Sequence, residues 1–449
     1  MNNFTSGSLL PIQQLNSEGY HPIFVRFFVI GIVFAFGIVH SPMLSLQHWY
    51  DTVIVILYAN SYIGKTWYDL LVLSKAYILQ QYITPIRSIL FFLSLIIIFV
   101  PLVKSLILFF ADFKTIAFSK EVVKKTFVSF FVLAILIFPL KLGIMSVGYA
   151  QMSFNPFGIF DESGQLYQRI LMPALAYFFQ LQGPLLYHVF SLLCTVFLLW
   201  LIILFFQRRG INLSNIELIS IGTSSFVITQ MQSPGYTEPL AYIAILILFI
   251  VPTSTYSRLS LVTLAILSHE ISALFVGIIA LFYFTKVEKF MTGVIFCFYA
   301  LFWMMNYGFD IGHLLHVRNV GDVSAVTWLI QYPWREVFGV LVSLKLLWIV
   351  YAIALYQMKS ERKLLISLFV AGIFLTFGGV DTSRLMGYVL IGLFISFFRV
   401  KKFSLLSRRA LNAIVIFNVM IPSVYIGTNS GIVFFNGLYQ LLYTGVLLR

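Results

Sequence analysis

The sequence predicts an all-α, polytopic helical membrane protein with about 12 to 14 transmembrane or half-membrane helices. Apolar residues make up 60% of the chain and charged residues only 10%. The mean hydropathy is +0.96, far above that of a soluble domain. Apolar runs of bilayer-spanning length recur along the chain. Because these runs are continuous and not alternating, they argue against a β-barrel.

The chain is expected to form one domain behind a short tail. Residues 1–21 are polar and lack the basic start and small-residue cleavage site of a signal peptide, which predicts a cytoplasmic N-terminal tail. Residues 22–449 are expected to form a single polytopic membrane domain, since no loop is long enough to hold a soluble module. Cys194 and Cys297 both lie within apolar runs, so no structural disulfide is expected.

Basic residues cluster in short patches between the apolar runs. The patches are Lys120/Lys124/Lys125, Arg208–Arg209, Lys286/Lys289, Lys359/Arg362/Lys363, and Lys401–Lys402 through Arg408–Arg409. Basic loops on the cytoplasmic side are the usual pattern of helical membrane proteins. The formal net charge of +13 is therefore attributed to membrane topology, and no nucleic-acid partner is expected.

The apolar runs give the predicted spans in chain order. These are 22–40, 86–110, 126–148, 184–206, 214–230, 239–252, 290–306, 337–357, 364–378, a span ending near 398, 410–427 and 431–447. Outer loops are expected near 41–85, 149–169 and 307–335, and the first has room for interfacial helices or one further span within 52–80. The segment SPGYTEP, which carries Glu238, predicts a turn before the span 239–252.

The placement of basic residues predicts that 259–284 does not cross the membrane as one helix. Arg258 before this segment and Lys286 after it are both expected on the cytoplasmic side. Two short helices that enter and return satisfy both positions, and they place His269 and Glu270 at the apex, towards the outside. A broken helix of this kind requires protein or water around its backbone.

Acidic residues are concentrated on the predicted outer side. Ten of the sixteen acids are expected there: Asp51, Asp69, Asp161, Glu162, Glu238, Glu270, Asp310, Asp322, Glu336 and Asp381. Asp51, Asp161, Glu162 and Glu270 are the candidate catalytic residues, because a carboxylate near a membrane surface can accept a proton from an attacking hydroxyl. The ordinary alternative for each is a solvated loop acid or an ion pair. Glu270 stands apart, because apolar sequence flanks it on both sides.

Arg169 and Arg384 are candidate substrate-binding residues, since each stands at the start of an apolar helix. A planar guanidinium suits a lipid phosphate at headgroup depth. Anchoring at the interface, or a salt bridge to a preceding acid such as Asp381, are the alternatives. Asp381 and His269 complete the candidate set, His269 as part of a proton or hydrogen-bond network beside Glu270.

Motifs of several other enzyme classes are missing from the sequence. There is no phosphate-binding Gly loop, no nucleophile elbow and no HExxH, which leaves a cytosolic nucleotide-driven enzyme unsupported. His313, His316 and Asp310 resemble a metal site only weakly, and an ordinary polar loop is favoured. No cofactor is predicted from the residues.

Three stretches carry a family resemblance: YQRILMPALA after an acidic outer loop, LSHEISAL between short apolar helices, and DTSRLMGYVL late in the chain. Together they resemble bacterial members of the GT-C class of polytopic glycosyltransferases, although this chain lacks the large soluble C-terminal domain of the better-studied members. The resemblance implies a GT-C-like fold and a multi-pass enzyme of the bacterial inner membrane. It also implies transfer of a sugar from a polyprenyl-phosphate donor to an extracytoplasmic glycan or lipid acceptor.

The resemblance also implies roles for individual residues. Asp51 would be the base, assisted by Asp161 and Glu162, while Arg169 and Arg384 would hold the lipid phosphate. The reaction would be a single displacement at the anomeric carbon, without a covalent enzyme intermediate. Some members of this class use a divalent metal and others do not, so a metal remains compatible with the sequence.

Two other functions fit parts of the sequence. A polysaccharide polymerase or ligase of the O-antigen type also has many spans and lipid-linked substrates, but it tends to concentrate several Arg residues in one long outer loop. A lipid-linked sugar flippase or transporter is expected to carry ionisable residues near mid-bilayer. Lys104, Lys141 and Lys345 fit that expectation. Snorkelling of their side chains to an interface explains the same positions without a transport role.

Overall fold

The chain is helical, apart from one hairpin near its end, throughout the residues that the computed structural model describes: 22–40, 84–138, 144–157, 169–251, 253–306, 330–376, 382–427 and 431–434. The α-helices are α1 (Pro22–His40), α2 (Thr84–Ala117), α3 (Lys120–Ile137), α4 (Ile144–Met152), α5 (Leu171–Phe178), α6 (Gly183–Gln207), α7 (Asn215–Gly222), α8 (Ser225–Gln232), α9 (Glu238–Ile250), α10 (Thr255–Ser268), α11 (Ser272–Tyr283), α12 (Lys286–Asn306), α13 (Pro333–Leu344), α14 (Leu347–Gln357), α15 (Arg362–Thr376), α16 (Thr382–Leu385), α17 (Leu390–Lys402) and α18 (Arg408–Met420). A 3₁₀ turn, Met386–Val389, joins α16 to α17. The strands β1 (Val424–Gly427) and β2 (Gly431–Phe434) pair antiparallel.

Several helices are long and apolar enough to cross a membrane. Within the described residues these are Ile86–Ala117, Gly183–Gln207 and Thr382–Lys402, and the pair α13–α14, bent by 86°, gives a fourth if it is counted as one span. Phe24–Ile38, Glu238–Ile250 and Ser272–Tyr283 are apolar but shorter. These helices support the membrane class predicted from composition, while the total of 12 to 14 crossings stays a prediction.

Two predicted single spans are each broken into two helices. The span 214–230 is interrupted between α7 and α8, where the run Gly-Thr-Ser-Ser offers hydroxyls that compete with helical hydrogen bonds. Thr223, for example, donates its hydroxyl to the carbonyl of Ser220. The span 337–357 is interrupted at Lys345, whose φ of +52° is incompatible with a continuous helix.

The predicted spans 126–148, 410–427 and 431–447 also need correction. In the first region α3 already ends at Ile137 and a separate helix, α4, begins at Ile144. In the second, α18 ends at Met420 and the chain continues into β1, which pairs with residues 431–434 in β2. The segments 424–427 and 431–434 are short and rich in β-branched residues, and apolar runs of that length do not distinguish a strand from a helix.

The break predicted within 259–284 is confirmed, while the outward position of its apex stays a prediction. α10 ends at Ser268, and α11 begins at Ser272. Between them His269 is extended, with φ −161° and ψ 124°, so the helix is broken at the predicted apex.

The central helix of the core is α9. Nearly every residue of α9 is buried, which is typical of a helix that is apolar on all sides and enclosed by others. It packs against α6 and α10, and the segment Thr382–Lys402 is 94% buried over its most apolar window. Phe394 of α17 makes a tilted ring contact with Phe205 of α6 and an edge contact with Phe226 of α8.

At one end of the bundle, residues of the basic patches form ion pairs that connect the helices. Lys401 bonds Glu217 at 2.7 Å, Arg258 pairs with Glu288 at 3.1 Å, and Arg399 pairs with Glu361. In addition, Arg209 at the end of α6 donates to the carbonyl of Phe249 at 2.9 Å, near the end of α9. We call this end of the bundle the basic end. The start of α9, the α10–α11 break and the start of α16 lie at the opposite end.

Candidate functional site

A buried ion pair connects the segment before α5 to the break between α10 and α11. The guanidinium of Arg169 donates to both carboxylate oxygens of Glu270, with Nε–Oε2 and Nη2–Oε1 distances of 2.8 and 2.7 Å. Its Nη1 donates to the hydroxyl of Tyr149 at 3.0 Å. Arg169 is 7% exposed and Glu270 9% exposed. This two-bonded geometry is the strong, orientation-specific form of an Arg–carboxylate contact.

His269 lies between two carboxylates. Its Nδ1 is 3.4 Å from Glu270 Oε2, and its Nε2 is 3.4 Å from Glu238 Oε1. The backbone N–H of Ile271 donates to Nδ1 at 3.3 Å. With Nδ1 acting as the acceptor, the neutral ring carries its proton on Nε2, which faces Glu238.

Glu238 also contacts the second arginine. Arg384 Nε is 3.4 Å from Glu238 Oε1, and its guanidinium lies 4.6 Å from the centre of the Tyr236 ring. Arg169, Glu270, His269, Glu238 and Arg384 thus follow one another in a line of contacts, which we call the charge cluster. Two guanidiniums and two carboxylates balance, so a neutral His269 leaves it without net charge.

The charge cluster lies less than one bilayer thickness from the basic end. α11 has 12 residues and is about 18 Å long. The hydrocarbon core measures about 30 Å. The sequence predicts that the basic end lies at a membrane surface. On that prediction so short a helix does not reach the other surface, and ionisable groups at that depth mark a candidate functional site.

Four buried tyrosines lie in the region of Glu238. Tyr149, Tyr187, Tyr242 and Tyr388 are all at most 2% exposed, and all four lie close enough to interact electrostatically with its carboxylate. Within the described residues, the hydroxyls of the last three and Glu238 Oε2 have no hydrogen-bond partner. A buried polar atom left in this way costs about 1–3 kcal/mol, so this arrangement requires a functional or solvent explanation.

Local backbone geometry places Glu238 at the start of α9. Gly235 has a φ of +105°, which suits glycine, and its N–H donates to Ser191 Oγ at 2.8 Å. A Cβ on Gly235 would lie 2.9 Å from Ser146 Cβ and 3.0 Å from the His188 ring. Pro239 then follows within the first helical turn, where proline is favoured. The predicted turn SPGYTEP therefore serves to aim a carboxylate into the bundle.

The 3₁₀ turn Met386–Val389 holds the other side of the cluster. Tyr388 stacks on Phe275 with ring centres 5.3 Å apart and lies 5.7 Å from the His269 ring. Gly387 permits a close approach, because a Cβ there would be 2.9 Å from the Tyr242 hydroxyl. A 3₁₀ stretch within a helix often marks a functional segment.

The structure brings four of the predicted site residues together: Arg169, His269, Glu270 and Arg384. Their catalytic and substrate-binding roles stay predictions. Glu270 already bonds a guanidinium through both oxygens, which favours a positioning role over that of a proton acceptor.

The other four predicted residues, Asp51, Asp161, Glu162 and Asp381, lie outside the described residues, as does the weak metal motif with His313 and His316.

Glu238 and its tyrosines were not predicted as site residues. Glu238 was assigned to an outer turn, and its available signal was an acid directly before a wholly apolar helix. Of the acids predicted to face outward, the structure describes Glu238, Glu270 and Glu336, and all three are 9% exposed or less. Glu336 accepts a hydrogen bond from the Thr382 hydroxyl, at the same end of the bundle as Arg384.

The three stretches that carry the family resemblance meet at the charge cluster. The first supplies Arg169, the second His269 and Glu270, and the third Arg384 and Tyr388. Comparisons with protein-family models, with curated proteins and with solved structures gave no match for this chain.

Proposed function

We propose that this chain is an integral membrane glycosyltransferase that moves a sugar from a polyprenyl-phosphate donor to an extracytoplasmic glycan or lipid acceptor. The observation that carries the proposal is the convergence of three separate stretches on one buried cluster of guanidiniums, carboxylates and a histidine. A donor of this kind brings a phosphate and a sugar to the same depth of the membrane. The guanidiniums of the cluster can bind the phosphate, and its hydrogen-bonding groups can bind the sugar hydroxyls.

The proposed reaction is a single displacement. The acceptor hydroxyl oxygen attacks the anomeric carbon, the bond from that carbon to the phosphate oxygen breaks, and its electron pair leaves with the phosphate. The acceptor proton passes to a carboxylate, for which Asp51, assisted by Asp161 and Glu162, is the expected acceptor. Arg384 stabilises the departing phosphate, because its contact with Glu238 is longer than the Arg169–Glu270 bonds and easier to exchange.

Arg169 has a different part in this proposal. Its fork is occupied by Glu270 and Tyr149, so it acts at the phosphate only after Glu270 moves. In the arrangement seen here the pair holds the α10–α11 break in place beside Arg384 and Glu238. Preorganised charge of this kind avoids reorganisation during the reaction.

Turnover by purified protein in nanodiscs tests the proposal, with a panel of radiolabelled polyprenyl-phosphate sugars and lipid or glycan acceptors. Wild type is expected to release or transfer one of the sugars, and Asp51→Asn or Glu162→Gln identifies the proton acceptor by loss of turnover. Single additions support the transferase, whereas a ladder of products indicates the O-antigen type of polymerase or ligase. Failure of every donor contradicts the proposal.

A lipid-linked sugar transporter is the second candidate, and Lys345 is the observation that favours it. Lys345 stands at the α13–α14 break, is 8% exposed, and donates to Ile421 O at 3.1 Å and Ser423 Oγ at 3.2 Å. No carboxylate pairs with it among the described residues. Buried charges at helix breaks are typical of transport sites. Transbilayer movement of a lipid-linked sugar without turnover selects this candidate.

A further inference from the structure

The two carboxylate oxygens of Glu238 are in different surroundings. Oε1 lies 3.4 Å from both His269 Nε2 and Arg384 Nε. Oε2 has no hydrogen-bond partner among the described residues, although Glu238 is only 1% exposed. In a buried carboxylate of this kind one oxygen is in contact with charged groups, and the other, which has no partner in the part of the chain that the structure describes, can accept a hydrogen bond from a ligand.

The open tyrosine hydroxyls are held by rigid packing of their rings. Tyr242 and Tyr388 make an edge contact with centres 4.9 Å apart, and Tyr388 is stacked on Phe275. Tyr187 is fully buried in α6, which precedes Glu238 in the chain. Because the rings of Tyr242 and Tyr388 are packed, their hydroxyl oxygens keep fixed positions.

The chemistry of these groups favours one class of ligand. A tyrosine hydroxyl donates and accepts, whereas the Glu238 carboxylate only accepts. A phosphate placed against Glu238 Oε2 would be repelled, since both carry negative charge. A sugar presents several hydroxyls in a ring, each able to donate and accept, and its apolar face suits neighbouring aromatic rings.

We infer that Glu238 Oε2 and the hydroxyls of Tyr187, Tyr242 and Tyr388 form a subsite that binds the hydroxyl groups of the transferred sugar. This inference rests on the proposed glycosyl transfer and names the residues that read the sugar. Arg384 then lies on the phosphate side of Glu238, so the sugar and its phosphate are held by adjacent residues. The Arg169–Glu270 pair positions the subsite and does not contact the sugar.

The test compares two ligands on the full chain in nanodiscs: the polyprenyl-phosphate sugar that wild type turns over, and the same polyprenyl phosphate without sugar. Wild type is expected to prefer the sugar-bearing lipid. Glu238→Gln is expected to reduce the ratio of the two affinities about tenfold, and Tyr242→Phe about threefold to tenfold, with binding of the bare lipid unchanged. Tyr351→Phe, which removes a buried hydroxyl bonded to Leu365 O, is the control and leaves the ratio at its wild-type value.

Each other outcome counts against the inference. An unchanged ratio in both variants, with wild-type turnover intact, removes the subsite and leaves the transferase standing. Equal loss of both ligands in Tyr242→Phe assigns these residues to the phosphate or to the fold and overturns the inference. If wild type neither binds nor turns over any sugar-bearing lipid, the proposed function and the subsite fall together.

Discussion

Arg169 and Glu270 are 101 residues apart in sequence and form a two-bonded ion pair with donor–acceptor distances of 2.8 and 2.7 Å. Through this pair the segment before α5 is fixed to the break between α10 and α11. The helix is broken at His269, and the ion pair lies directly beside this break. A buried pair of this kind is costly to disrupt by removing only one partner.

Removing one partner of this pair is expected to destabilise the fold. Glu270→Gln leaves the Arg169 charge buried with a weaker partner and should reduce the free energy of unfolding by about 3–5 kcal/mol. The double variant Arg169→Met/Glu270→Leu should lose less than either single variant, because no buried charge is left over. Thermal unfolding in detergent measures both. Glu121→Gln, at the exposed pair with Lys125, is the matched control and should have little effect. Equal losses in the single and double variants would contradict this account.

The open tyrosine hydroxyls give a second prediction, measured without ligand. Tyr242→Phe and Tyr388→Phe remove hydroxyls that have no partner among the described residues, so the unfolding free energy should be unchanged or rise. Tyr351→Phe should lose about 1 kcal/mol, because its hydroxyl donates to Leu365 O at 2.6 Å. Chemical unfolding of the three variants side by side is the measurement. A larger loss at Tyr242 than at Tyr351 would show that its hydroxyl is satisfied.

Gly235 gives a third prediction, about the turn that carries Glu238. Gly235→Ala combines a φ of +105° with a Cβ 2.9 Å from Ser146 Cβ, and should destabilise the protein by about 1–3 kcal/mol. It should also reduce sugar turnover, because the start of α9 has to shift. Gly293→Ala is the control: nothing lies within 4 Å of its added Cβ, so it should be neutral or stabilising. Wild-type turnover in Gly235→Ala would separate this turn from the site.

Lys345 distinguishes the two candidate functions. Lys345→Met removes a buried ammonium that is bonded only to neutral oxygens among the described residues. The free energy of unfolding should therefore be unchanged or slightly higher. For a transferase centred on the charge cluster, sugar turnover in this variant should stay within a few-fold of wild type. Transbilayer movement of the donor, followed in sealed vesicles that contain the same variant, should also be unaffected. If wild type moves the lipid-linked sugar without turnover and Lys345→Met loses that movement, the transporter is favoured.

The fold could be predicted where charges constrain the chain. The break at His269 was predicted because Arg258 and Lys286 both had to lie on one side, and this parity does not depend on packing. The break at Lys345 was missed, because one lysine among leucines is equally compatible with snorkelling from a continuous helix. The hairpin after α18 was missed because its strands are short apolar runs without a period of their own.

Prediction of the site was limited because it depends on contacts between segments that are far apart in sequence. Glu270 was singled out by its apolar flanks as a catalytic candidate, and that role stays a prediction. Its bond to Arg169 depends on a contact that no local pattern shows. Glu238 looked like a turn residue because its neighbours Pro, Gly and Thr are turn formers. Only the packing of α9 against α10 and of α16 beside them reveals that the turn points inward, towards His269 and Arg384.

The most direct test compares two arginines at opposite ends of the bundle, Arg384, which is half-buried, and Arg399, which is buried. Arg384 lies beside Glu238 in the charge cluster, whereas Arg399 pairs with Glu361 at the basic end. Both variants to alanine remove a guanidinium from a carboxylate, and thermal unfolding of each variant establishes that it is folded before turnover is compared. With radiolabelled polyprenyl-phosphate sugars, Arg384→Ala is expected to lose about 100-fold or more in sugar turnover, and folded Arg399→Ala only a few-fold. Equal turnover in the two variants would contradict the assignment of glycosyl transfer to the charge cluster.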